Sequence, residues 1–365
     1  MKLFEISNYL DTRVPLALQE DYDNCGLLIG NKNTHINSIL VSLDCTEEVV
    51  DEAINNNHNL IVSHHPLIFG NIKKITGSNY VEKIIAKAIK HDIAIYAMHT
   101  NLDNIYDGVS FQIADKINLE KTQILKPKPG LLMKMTTYCP PSHTDLVKNA
   151  LFDNGAGRVG HLYDRCSFVS SGTGSFRPLD GANPFSGQAG KDSLCKEDKI
   201  EVVFYSYMKP RILSALKEAH PYQEVAYVFD NIQNASQIGS GVIGEFKKAL
   251  SLNNFLAHIK KTMNTNIIKY NKIMPKKNIK KVAICGGSGR FLLEDAIINQ
   301  ADAFITSDFK YHDFFDTNNQ IIVCDIGHYE SEFHTQQLIY SILKENFSKL
   351  AVRLTSVCTN PILYY

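Results

Sequence analysis

The chain lacks an excess of either charge: 38 Lys and Arg stand against 38 Asp and Glu in 365 residues. That balance removes the basic footprint expected of a nucleic-acid binder and gives no reason to expect a membrane surface. Long apolar runs are missing too, with none near the ~20 residues that span a bilayer. The opening MKLFEISNYLDTRVP mixes acids with apolar residues and lacks the unbroken apolar stretch of a secretory signal, so a cytoplasmic protein is expected. Cys25, Cys45, Cys139, Cys166, Cys195, Cys285, Cys324 and Cys358 show no C-x-x-C spacing and read as reduced, mostly buried thiols. Internal repeats and low-complexity tracts are absent.

What is present is an ordinary globular composition, 44% hydrophobic and 21% charged, over a length that suits two domains. Apolar runs at 38–44, 59–63, 93–98, 281–289, 302–308 and 320–327 each lead into a polar or glycine-bearing turn and then a helical pattern. Continuous apolar strands alternating with helices predict an α/β fold with both sheet faces covered. The alternation breaks at KPKPG (126–130). Beyond it come a strand, a helix, a glycine-rich loop at 172–190, a strand from 200, a helix and a strand at 224–232. This β-α-β…β-α-β order predicts an inserted ferredoxin-like α+β domain at 127–235, between core segments 1–126 and 236–365.

Three of the core strands carry metal-competent side chains at their carboxyl ends: His64 and His65, His99 and Asp103, and His328 and Glu332. Ligands in open α/β sheets bind at that edge, so distant segments converge there. His328 and Glu332, four apart, share one helix face. Singly, each pair has an ordinary reading as surface, turn or helix polarity; together they predict a shared metal site. Three of these histidines with the two carboxylates already exceed the three ligands of a single catalytic zinc and suit two divalent ions, with Glu332 able to bridge them. The donor set fits Zn, Fe, Mn or Co without choosing among them.

Other features carry less. Lys310, Tyr311 and His312 follow a strand end at Asp308, and His312 is a candidate catalytic residue, as a base behind the ligands or a substrate contact, or else a buried structural histidine. Asp44 either orients a ligand or caps the following helix. GGSG (286–289) reads as a tight strand-to-helix turn more readily than as a phosphate loop. Residues 239–244 match G-x-G-x-x-G but lack the leading strand and distant acid of a dinucleotide fingerprint.

The segments DYDNCGLLIG (21–30), VSLDCT (41–46), SHHPLIF (63–69), HTNLD (99–103), CGGSG (285–289), TSDFKYHD (306–313) and GHYESE (327–332) together resemble the Nif-three-like dinuclear-metal family. Its members are commonly described as GTP cyclohydrolase I type 2 homologues. The resemblance implies a core of mixed and parallel sheets flanked by helices. It also implies two metal ions per chain at His64, His65, Asp103, His328 and Glu332. HPYQEVAYVFD (220–230) resembles the signature of the PII/CutA-like domain in longer members, with Gln223 where Glu is usual and Val225 where Pro is common. That implies a homohexamer, a trimer of dimers. The expected activity is metal-dependent hydrolysis of a nucleotide-like or phosphoester small molecule by an activated water. The competing expectation is a non-catalytic metal-binding assembly whose insert senses a ligand.

Overall fold

The structure, a computed structural model, describes residues 1–158, 160, 162–273 and 278–365. The chain divides into two compact units, Met1–Pro127 with Gln237–Tyr365, and Lys128–Ser236.

The first unit contains two sheets. In one, strands Gly26–Ile29, Ala94–Ala97, Leu60–Ser63, Ser38–Ser42 and Ala351–Leu354 lie side by side in that order. All neighbours are parallel except the first pair. The three central strands are buried at every position, as expected of parallel strands covered on both faces. Helices Glu47–Asn55 and Tyr80–Lys90 cover one face, placing Val49, Val50, Ala53, Ile84, Ile85 and Ala88 against Leu40, Ile61 and Ile95. The Thr46 side chain accepts the Val49 amide and the Asn79 side chain that of Glu82, so each helix start has its cap.

In the other sheet the order is Lys269–Tyr270, Ile322–Asp325, Ala303–Ser307, Ile279–Ser288, Gly239–Leu250 and Leu119–Pro127. Its three middle strands running to Ser288, Ser307 and Asp325 are parallel, and the flanking strands are antiparallel. The G-x-G-x-x-G match lies inside strand Gly239–Leu250, paired on both sides, so its glycines open no phosphate loop. Among the described residues, no helix is long and apolar enough to cross a membrane.

The second unit is a β-α-β-β-α-β chain of elements. Strands Phe168–Phe176, Ser193–Tyr205, Leu132–Cys139 and Tyr227–Ile232 form one antiparallel sheet in that order, with helices Thr144–Asp153 and Lys209–Ala219. Met135, Val147, Leu151, Ile200, Val202, Phe204, Ile212 and Leu216 make its core. This is the order of a ferredoxin-like sandwich. The expected glycine-rich loop is shorter than its composition suggests. Residues 172–176 extend the first of these strands, pairing Gly172 with Glu197 and Gly174 with Cys195. The sheet ladder decides here, because glycine's missing side chain at Gly174 makes room for the Glu197 carboxylate.

Candidate metal centre

The turn after strand Leu60–Ser63 answers how two adjacent histidines act together. Ser63 Oγ donates to the His65 carbonyl at 2.8 Å, and the amides of His64 and His65 donate to the Leu43 carbonyl at 3.1 and 2.9 Å. Held this way, the backbone leaves strict strand alternation, and the two rings lie 4.9 Å apart at 47°. From the other sheet, helix His328–Glu332 begins directly after strand Ile322–Asp325 and presents its first and last residues to the same place. The parallel strands of both sheets thus end at one cleft of about 620 Å³, whose lining includes His65, His99, Asp103, His328 and Glu332.

Each imidazole is fixed from behind. His64 Nδ1 lies 2.7 Å from the Met98 carbonyl, His65 Nδ1 2.7 Å from Asp44 Oδ1, and His328 Nδ1 2.6 Å from Asp308 Oδ2. An Nδ1–H donating to such an acceptor leaves Nε2 as the nitrogen offered to the cleft. The Nε2 atoms of His65 and His328 are 3.3 Å apart and lie 3.0 and 2.9 Å from the same Glu332 oxygen, Oε2. The other oxygen, Oε1, is 3.7 Å from His64 Nε2, which in turn is 3.8 Å from Asp103 Oδ1. Both His64 Nε2 and Asp103 Oδ1 are buried without a hydrogen-bond partner.

A buried polar atom left unpaired costs about 1–3 kcal/mol. Two such atoms facing one another, beside imidazole nitrogens that converge on a carboxylate, fit a cation held among them. Two sets of donors lie within 4.8 Å of one another: His64 with His65 and His99, and His65 with His328 and Glu332. These residues fit a divalent metal.

Burial holds the His64 imidazole below its ordinary pKa. For His65 burial acts in the same direction, but Asp44 and Glu332 outweigh it and lift the imidazole to about 9. Asp308 and Glu332 likewise overcome burial at His328 and lift it to about 11. Burial and then the Glu332 charge push Asp103 well above the carboxylate range. Glu332 itself lies well below that range, because His328, His64 and His65 together outweigh its burial.

Four of the five residues expected as ligands, His65, Asp103, His328 and Glu332, therefore line one cleft, and the fully buried His64 stands behind them with Nε2 facing Asp103 and Glu332. His312 is elsewhere: it is exposed on the turn Tyr311–Thr317, its ring against Tyr311 and Phe315, and it is absent from the cleft lining. Its exposure contradicts the expected reading of a buried structural histidine. Asp308 takes the supporting place instead. Asp44 supports His65 through one oxygen and accepts from Thr359 Oγ1 at 2.6 Å through the other, while Thr46 caps the helix. The GGSG amides are occupied, with Gly286 donating to Ser110 Oγ, Gly287 to Ser331 Oγ and Gly289 to Thr306 Oγ1.

Sequence reasoning missed Asp23. Its buried carboxylate lies 2.8 Å from His99 Nδ1 and accepts the Thr100 amide at 3.0 Å as well as the Thr100 hydroxyl. The His99 ring stands 5.2 Å from that of His64 and 5.4 Å from that of His65. The only signal was the acid inside DYDN, which composition alone does not separate from its neighbours.

An α/β scaffold that gathers histidines and carboxylates at the carboxyl ends of two parallel strand sets defines a protein with a candidate metal centre. The chain belongs to the Duf34/NIF3 (NGG1p interacting factor 3) family, whose profile matches residues 1–361. It is 36% identical over 369 residues to the GTP cyclohydrolase 1 type 2 homolog of Staphylococcus aureus (strain MSSA476), covering 100% of both chains. To the Bacillus subtilis (strain 168) protein of the same name it is 36% identical over 349 residues, 95% of this chain and 90% of that one. Among solved structures, the Bacillus cereus protein related to NIF3 superposes with a TM-score of 0.87 at 32% identity, covering 100% of this chain and 99% of that one.

Proposed function

We propose that this chain is a cytoplasmic, metal-dependent hydrolase with two divalent ions, acting on a nucleotide-like or phosphoester small molecule. The observation that carries it is the facing pair of buried, unpartnered atoms, His64 Nε2 and Asp103 Oδ1, beside the convergent nitrogens of His65 and His328. His64, Asp103 and Glu332 Oε1 would hold one ion, and His65, His328 and Glu332 Oε2 the other. When bound, such ions supply Lewis acidity and lower the pKa of water toward neutrality. The chain's own residues do the rest. Met98, Asp44 and Asp308 orient the imidazoles, and the buried Glu332 carboxylate joins the two halves of the cluster. The name borne by the relatives, GTP cyclohydrolase 1 type 2 homolog, supports including GTP among the substrates to be tried.

Protein purified without chelator should contain close to two divalent ions per chain, and it should turn over a member of a nucleotide and phosphoester panel. His65→Ala and Glu332→Ala should each abolish that turnover. Stoichiometric metal without turnover of any panel member would favour the non-catalytic assembly; a stably folded protein without metal would remove both.

The order of strands in the Lys128–Ser236 unit, with HPYQEVAY at 220–227, supports assigning it as a PII/CutA-like domain. Phe168, Leu194 and Val228 of that unit are exposed apolar side chains, which supports self-association through it. The proposed assembly is a homohexamer, expected to have the mass of six copies of the 41.0 kDa chain. Sedimentation equilibrium giving a monomer would overturn it.

A further inference from the structure

Tyr22, Phe69, Tyr80 and Phe291 are 69%, 54%, 71% and 55% exposed, and all four line the cleft that holds the histidine–carboxylate cluster. They come from four separate places. Tyr22 precedes strand Gly26–Ile29, Phe69 follows the histidine turn, Tyr80 opens helix Tyr80–Lys90, and Phe291 lies just beyond strand Ile279–Ser288. Single exposed apolar residues are common, but four aromatic rings gathered on one cleft from four loops form a patch that calls for a ligand. Phe69 ties the patch to the cluster, its ring meeting that of His99 edge-on at 5.6 Å and 89°.

The rest of the wall limits what the ligand is. Among the described residues lining the cleft there is no lysine or arginine, while Ser240 and Ser288 offer uncharged hydrogen-bonding groups. Lys73 and Lys74 line a neighbouring groove that shares Phe69 and Tyr80. Any grip on a phosphate would therefore fall to the proposed ions, since among the described residues the protein wall itself presents no guanidinium or ammonium group. Aromatic faces instead select planar π systems and tolerate differences among them.

We propose that the cleft recognises a planar, uncharged heteroaromatic ring, such as a nucleobase, stacked on these side chains beside the metal cluster. This deepens the reading of the same site as a metal-dependent hydrolase, and it is tested apart from turnover.

The test is isothermal titration of the full-length protein, chelator-treated and metal-loaded, with guanosine, adenosine, cytidine and ribose 5-phosphate. At least one nucleoside should bind both forms, and ribose 5-phosphate should bind the chelator-treated form at least about tenfold more weakly, the form in which no ion can hold its phosphate. Phe69→Ala and Tyr80→Ala should each weaken nucleoside binding by roughly fivefold or more. Tyr80→Phe should keep it, and Tyr80→Leu, which retains apolar bulk without a π face, should lose it. Lys73→Ala should leave it unchanged. Metal content and melting temperature of these surface variants should match the wild type. Nucleoside binding by a protein that turns nothing over would end the hydrolase reading and leave ring recognition standing. Failure of all three nucleosides to bind, equal binding of ribose 5-phosphate to the chelator-treated form, or aromatic variants within twofold of wild type would overturn the proposal.

Discussion

Gly287 lies against Glu332 so closely that a side chain there would overlap Oε1 and stand 3.1 Å from Cδ. The glycine also has φ +64°, a conformation that other residues adopt at a cost. A strand end and a helix end are thereby pressed together at the carboxylate on which His65 and His328 converge.

Gly287→Ala should therefore disturb the metal centre from a position that ligates nothing. We expect a loss of about 2 kcal/mol of stability from strain and overpacking. Metal affinity should fall on the order of tenfold as Glu332 is displaced. Thermal melts and metal analysis after dialysis would check this; a variant with wild-type values in both would contradict the close-approach argument.

Removing the groups behind the imidazoles should weaken the metal without removing a ligand. Asp44→Ala frees His65 Nδ1 and Asp308→Ala frees His328 Nδ1. Each should cost roughly 10- to 100-fold in metal affinity. Competition with a fluorescent chelator reads this directly, and unchanged affinity in both variants would show that Glu332 alone orients the rings.

Metal loading should release protons. In the metal-free protein His65 and His328 titrate at about 9 and about 11, so both are charged at pH 8 and must lose a proton to ligate. Calorimetry in buffers of different ionisation enthalpy should find about two protons released, and affinity should rise with pH. The sign for folding is opposite. A raised imidazole pKa stabilises the metal-free fold fully below the unfolded value of ~6.5, and that contribution disappears as pH rises through 9 to 11. The metal-free protein should thus lose melting temperature on the alkaline side while the loaded protein holds it; parallel curves would contradict the charge arrangement.

Asp23 should matter for stability more than its distance from the ligands suggests. Its side chain is fully buried and accepts from His99, Thr100 and Asn24. Burial opposes the charge, but the bonds from His99 and Thr100 prevail and hold the carboxyl far below its ordinary value. A depressed pKa adds stability that is present above the unfolded value of ~3.9 and is lost only as pH falls below it. Asp23→Ala should cost about 2–4 kcal/mol, since several donors lose their acceptor at once. Denaturant titration at pH 7 checks this, with a loss under about 1 kcal/mol counting against it.

Much of this architecture was legible in the chain because parallel strands buried on both faces write themselves as unbroken apolar runs. LIVS at 60–63, followed at once by His64, and AIYA at 94–97, followed after Met98 by His99, are examples. The division into two separate sheets was not legible, since pairing partners leave no mark in the periodicity of either strand. The supporting acids were harder still. Asp44 could be suspected at a strand end, but Asp23 meets His99 from 76 positions away, and Asp308 reaches His328 across 20. GGSG was expected as a tight turn, but its first three residues end strand Ile279–Ser288 and only Gly289 leads into the next turn, and its close approach to Glu332 depends on a helix that the local sequence cannot locate. The burial of His312 was misread, because a histidine just past a strand end carries no local mark of whether its turn faces solvent.

His64, His65 and Asp103 precede the Lys128–Ser236 unit, whereas His328 and Glu332 follow it. A growing polypeptide thus carries three of its donors through the synthesis of an entire second unit before the last two exist. Until Glu332 has left the ribosome, the early histidines can offer only a loose, incomplete grip that competing thiols and small chelators in the cell would strip. If the proposed ions are bound, the finished centre is a record that translation went nearly to the end, and a prematurely terminated chain would be recognisable by failing to hold them.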